Sequence, residues 1–230
     1  MIISELLKLE IKLLLRTKRS LFLTIFTLLM YIIVLFLLSG DKRTGNDFSL
    51  FSTILVITLC VYGYCNFLVA WEGSYFDLLM ASYIPIKQYI EAKYLLHLIF
   101  ILLGILMAIP VLFLNPALCI YFGVAFLYHI AVSIPLMIYM AQYNREKIDL
   151  INGSFIVDGI NGYQYLSGFL IIAPPTGLYY YLSIFFKNVT ALLILGVIFL
   201  LIGLFYKKVI NILTNAFIHQ KYALLDSFSK

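Results

Sequence analysis

Six stretches of this chain are long enough and apolar enough to cross a bilayer, which leaves few folds open. A hydrocarbon layer about 30 Å thick takes about 20 residues of helix, and backbone amides inside it must bond within their own segment. The stretches run approximately from Ser20 to Ser39, Leu50 to Ala70, Leu95 to Leu114, Ala117 to Ala141, Tyr163 to Phe186 and Val189 to Tyr206. Asn115-Pro116, between the third and fourth, supplies a tight reversal, since proline cannot continue a helical hydrogen-bond ladder. With 12% charged and 63% apolar residues, the chain has far too few charges for a soluble domain, where about a quarter are charged. The fold expected is an all-α polytopic membrane protein with six transmembrane helices in one domain over 1–230.

The positions of lysine and arginine give the orientation. With the N-terminus inside, thirteen lie on that side: Lys8, Lys12, Arg16, Lys18, Arg19, Lys87, Lys93, Arg145, Lys147, Lys207, Lys208, Lys221 and Lys230. Only Lys42, Arg43 and Lys187 fall outside, so both termini are expected in the cytosol. The net charge of +5 is accounted for by these clusters beside apolar spans, where anionic headgroups attract them, and nucleic acid is set aside as a partner. Cys60, Cys65 and Cys119 fall inside apolar runs and read as small hydrophobes, with no metal site. The first run is too long for a signal peptide, and Leu38-Ser39-Gly40 offers no convincing cleavage site. The glycosylation patterns at Asn152 and Asn188 read as chance, one being cytosolic and the other against the bilayer.

Two segments outside the spans are amphipathic. Over residues 1–19, Glu5, Lys8, Lys12, Arg16 and Arg19 recur at spacings of three and four, with leucine and isoleucine filling the remaining surface; this is the pattern of a helix lying in the interface. Spans one and two, over 20–70, are followed by a segment over 71–94 that is too long and too patterned for a plain turn. There Ser74 is positioned to cap a short helix, with Asp77 in its first turn and Phe76, Leu79 and Met80 on one face. Pro85 ends that helix, and the chain restarts at Ile86 toward the third span. Spans three to six occupy 95–206, and 207–230 reads as a cytosolic tail.

Leu78-Leu79-Met80-Ala81-Ser82, Ile84-Pro85-Ile86, Lys87 and Ala92-Lys93-Tyr94-Leu95-Leu96 resemble the connection after the second span in ABC-2 type permeases, the membrane subunits of ATP-driven exporters. The tail from Phe217 to Phe228 resembles that of Bacteroidetes-type members. The resemblance implies a cytosolic coupling helix between helices 2 and 3, on which a separate ABC ATPase docks through Glu72, Phe76, Asp77, Leu79, Met80 and Lys87. It further implies a second permease subunit, the same or similar, and a bacterial inner membrane. No G-x-x-x-x-G-K-[ST] loop occurs, nor any Gly-Lys pair, so ATP and Mg are expected in the partner and no cofactor in this chain. The importer motif fails as well, because Glu91-Ala92 continues into Lys93 and His97 stands where its glycine should be.

Inside the spans, His97 and His129 are the few ionisable residues, and hydrogen bonding to a neighbouring helix is favoured over catalysis for both. Pro110, Pro135 and Pro174-Pro175 free backbone carbonyls that need a partner. Together with Gly177 and Tyr179-Tyr180-Tyr181, the proline pair leaves two readings open: a fifth span that stops short before a re-entrant helix, as in ABC-2 permeases, or an ordinary kinked helix with an aromatic belt. His129, Pro135, Pro174, Pro175 and Tyr179 are the residues assigned to a translocation path. Asp158 is read as part of a solvated loop. An intramembrane enzyme would need an H-E-x-x-H, a G-x-S-x-G or a carboxylate pair, and an ion-coupled carrier would need embedded carboxylates; neither pattern is present, and no residue is assigned as catalytic.

Overall fold

A computed structural model describes residues 2–40, 48–82, 84–148 and 162–228, and among them there is helix and no strand. Helix α1 spans Ile2–Arg16, α2 Lys18–Gly40, α3 Phe48–Cys65, α4 Phe76–Ala81 and α5 Ile86–Leu114. Then come α6 at Leu118–Tyr128, α7 at Ile134–Ala141, α8 at Gly162–Phe185, α9 at Asn188–Leu204 and α10 at Tyr206–Phe228. A 3₁₀ turn at Ala70–Glu72 precedes α4, and a π-helical turn at His129–Ser133 joins α6 to α7. Among the described residues five stretches are long and apolar enough to cross a membrane, namely Lys18–Leu38, Ser49–Glu72, Ile86–Leu114, Leu118–Ala141 and Gly162–Phe185. A sixth arises if α9 and α10, bent by 61° at Phe205, count as one broken span. The chain is a helical membrane protein.

The third helix is the central post. Within the Ser49–Glu72 stretch 83% of residues are buried, against 17% for Gly162–Phe185 and 28% for Lys18–Leu38, so α8 and α2 present most of their apolar surface outward. Helices α2, α5, α6 and α8 all pack on α3. The α2–α3 contact is close because of Gly63: a Cβ there would stand 2.5 Å from Thr27 Oγ1 and 3.1 Å from the Leu23 carbonyl oxygen. The latter is backbone, so a side chain must push the helices apart. Gly63→Ala is expected to destabilise the protein by about 1–3 kcal/mol. Thermal unfolding in detergent measures it, with Gly123→Ala, which meets nothing within 4 Å, as the silent control.

Two prolines are accommodated by tyrosines from neighbouring helices. Pro175 has no N–H for the Ile171 carbonyl one turn back, and Tyr128 on α6 donates its hydroxyl to that carbonyl at 2.8 Å. In the π-helical turn the Ile130 carbonyl would look five residues ahead to Pro135, and Tyr94 on α5 donates to it instead, also at 2.8 Å. With the Ile171 carbonyl satisfied in this way, α8 runs unbroken through Pro174-Pro175. Of the two readings of the proline pair, the continuous helix is the one found. The break in the chain's path comes later, at Phe205. Beyond it, the segment expected to be a plain tail is the amphipathic helix α10, whose Ile210, Leu213, Phe217, Leu224 and Phe228 are buried along one face.

Candidate functional site

The basic end of the bundle, where α1, α4 and α10 gather, holds the densest polar chemistry in the described chain. Lys93, about two turns into α5, is 2% exposed. Its Nζ donates to Glu10 Oε1 of α1 and, at 2.6 Å, to Glu72 Oε1 of the 3₁₀ turn. The second oxygen of each carboxylate is occupied too: Tyr64 of α3 donates to Glu10 at 2.9 Å and Tyr89 of α5 to Glu72 at 2.5 Å. Lys93 also lies over the Tyr89 ring, 4.9 Å from its centre. Charges removed from water this completely persist only when paired and hydrogen-bonded, and four segments of the chain supply the partners here. The cluster therefore ties α1, α3, the 3₁₀ turn and α5 into one base. Nearby, burial first and then the charges of Glu72 and Glu10 push the Tyr75 phenol far above its ordinary value, keeping it a neutral hydroxyl.

Trp71 closes the base from the side. Its indole stacks on Tyr64 with ring centres 5.9 Å apart, meets Phe67 edge-on, and donates Nε1–H to the Tyr64 carbonyl at 3.1 Å. The Ala70 carbonyl accepts the Ile148 N–H at 3.1 Å, which binds the chain after α7 to the same turn. On this base sits α4. Its Phe76 is fully enclosed, with the Phe228 ring 5.4 Å away and the Phe217 ring 6.3 Å away, both edge-on and both from α10. Lys221 of α10 donates to the Met80 carbonyl at 3.3 Å, and Lys147 donates to that of Phe228 at 3.0 Å.

The residues expected to meet an ATPase thus divide. Glu72 and Phe76 face inward and are spent on contacts within this chain, so neither presents a surface, contrary to their expected place on a docking face. The reason is physical: the Glu72 carboxylate is needed to neutralise the buried Lys93, and the Phe76 ring gains from leaving water between two other rings. Asp77 and Lys87 are exposed, while Leu79 and Met80 are half-buried beside Ile84, Ile86, Tyr89 and Lys221. Leu78 of α4 is 76% exposed and was not among the expected contacts. Ser74 does not cap; Tyr75 holds that position, without a side-chain cap bond.

The residues assigned to a path are dispersed. His129 is buried, bonding the Ala125 carbonyl through Nδ1 at 2.7 Å and Thr58 Oγ1 of α3 through Nε2 at 3.1 Å, the interhelical bond favoured for it. His97 donates Nδ1–H to the Lys93 carbonyl of its own helix at 2.8 Å. Pro135 lines a small apolar cavity with Tyr94, Ile202 and Tyr206. Pro174 is exposed, whereas Pro175 and Tyr179 are buried in α8. An open groove of about 530 Å³ runs along α8 from Gly168 to Tyr180 opposite Phe51 and is lined by none of these five. Among the described residues no three His, Cys, Asp or Glu side chains gather as metal ligands would. Asp158, Lys42 and Arg43 lie outside the described residues.

Sequence reasoning missed Glu10, Tyr64, Tyr89 and Lys93 as a cluster. One signal was present: Glu10 lies off the polar stripe of α1, on the leucine face, where a lone acid calls for a buried base. Arg19, placed on the stripe by spacing, is buried, whereas Glu5 and Lys8 keep to the surface as an exposed pair at 2.9 Å. Compared with known proteins, the chain is matched over residues 2–230 by the model of a family of unknown function, DUF5687. No curated protein and no solved structure matches it.

Proposed function

The chain belongs to DUF5687, a family of unknown function, and on that premise we propose that it is the permease subunit of an ATP-binding cassette exporter of the ABC-2 type. In this reading it sits in a bacterial inner membrane with both termini cytosolic, forms the translocation path with a second permease subunit, and is driven by an ATPase docking on α4. The carrying observation is the construction of α4. A six-residue helix is too short to be stable by itself, yet this one is mounted on an ion-paired base continuous with α1, α3 and α5 and presents Asp77 and Leu78 to solvent. A short rigid knob with an apolar tip is what a partner needs in order to push on membrane helices. The resemblance of the segment from Leu78 to Leu96 to ABC-2 permeases supports the same reading. The missing phosphate loop agrees with an ATPase on a separate polypeptide.

Co-purification with nucleotide-binding subunits encoded beside the gene tests this. The expected result is a complex whose ATP turnover differs from that of the ATPase alone. Leu78→Glu is expected to weaken association at least tenfold while leaving thermal unfolding of the isolated chain unchanged, because the side chain supports nothing inside. Wild-type association in Leu78→Glu would remove α4 as the docking point.

A further inference from the structure

We propose that α10 is the second arm of the docking element: α4 and α10 form one rigid body, so that a push on α4 reaches α9 through α10 as well as the third span through α5. The proposal rests on the docking reading only for the identity of what pushes. The rigidity comes from contacts in the chain itself. Phe76, the first residue of α4, has no exposed surface, and the two rings enclosing it edge-on are Phe217 and Phe228, eleven residues apart on α10. Phe217 also meets Tyr89 at 5.1 Å, so the same ring contacts the start of α5. Lys221 holds the C-terminal end of α4 through the Met80 carbonyl, and Lys147 holds the last turn of α10 through the Phe228 carbonyl.

Between the two helices, bounded by Leu79, Met80, Ile84, Ile86, Tyr89 and Lys221, the remaining cavity is only about 20 Å³, about the room of one water. At this point α4 is packed closely against the start of α5 and against α10. Packed interfaces of this kind transmit displacement because side chains in contact resist compression. At its other end α10 joins α9 through the single residue Phe205 with a 61° bend, so a displaced α10 acts on α9 as a crank. The competing arrangement is a surface helix from which α4 lifts away when pushed.

The test uses the full chain with Cys60, Cys65 and Cys119 replaced by alanine and the pair Met80→Cys with Lys221→Cys, cross-linked in membranes by a flexible bis-maleimide. Expected are efficient cross-linking in the isolated chain and, once a nucleotide-binding partner is bound, ATP turnover within twofold of the uncross-linked protein. Failure to cross-link, or a loss of turnover above tenfold on cross-linking, overturns the rigid body. Should no ATPase associate at all, the permease reading fails and cross-linking of the isolated chain alone decides this one. Because the cysteine pair could impair folding, a second measurement stands beside it. Met80→Cys alone should react with a soluble maleimide at least tenfold faster when Phe217→Ala is added, and an unchanged rate counts against the proposal.

Discussion

Lys93→Ala will lower the stability of the folded protein by about 3–5 kcal/mol, the cost of leaving buried charge without its partner. The substitution strands Glu10 and Glu72, 5% and 3% exposed, beside each other with only two tyrosine hydroxyls left to them. Thermal unfolding in detergent should show a large drop in midpoint together with loss of the monodisperse species. Removing all three charges at once, as Lys93→Met with Glu10→Gln and Glu72→Gln, should recover most of the loss, since no uncompensated ion then remains. A Lys93→Ala chain that melts with the wild type would mean that the three residues do not meet. The comparison separates lost charge pairing from lost packing of the lysine stem, because methionine keeps the stem.

Phe76→Ala comes next in size, at about 3–5 kcal/mol for a ring removed from a filled core position. The ring lies between Phe217 and Phe228, so its loss opens a void that α4 and α10 fill only by moving together. Asp77→Ala, the next residue in the chain and exposed, should stay within about 0.5 kcal/mol. The pair of measurements tests which way α4 faces: equal effects at the two positions would mean that the helix is turned the other way.

The spans were legible because each required only a run of apolar residues, and the reversal at Asn115-Pro116 and the start after Pro85 were legible because proline acts locally. The base was not. Residues 10, 72 and 93 share no periodicity, and Lys93 looked like one more positive charge marking a membrane face. Glu72 looked like a solvated flank for the same reason: at a separation of twenty-one residues, no local spacing pairs it with Lys93. The helix α10 was missed although its buried face repeats at three, four and seven residues. The lysines at 207 and 208 end the apolar run there, and hydropathy alone does not separate an amphipathic helix from a tail. Pro175 was noticed as a break, but whether it breaks a helix depends on Tyr128, some fifty residues earlier and on another helix.

The ion cluster also bears on the order in which the protein can be made. Its members Glu10, Tyr64, Glu72, Tyr89 and Lys93 all fall within the first ninety-three residues. A nascent chain that has emerged as far as α5 thus already holds every group needed to neutralise its most costly buried charges, and no later helix is required to rescue them. Synthesis runs from the N-terminus at a pace that lets early segments settle first. The helices from α6 onward can then be added to a finished foundation, and Phe217 and Phe228 arrive last to cover Phe76.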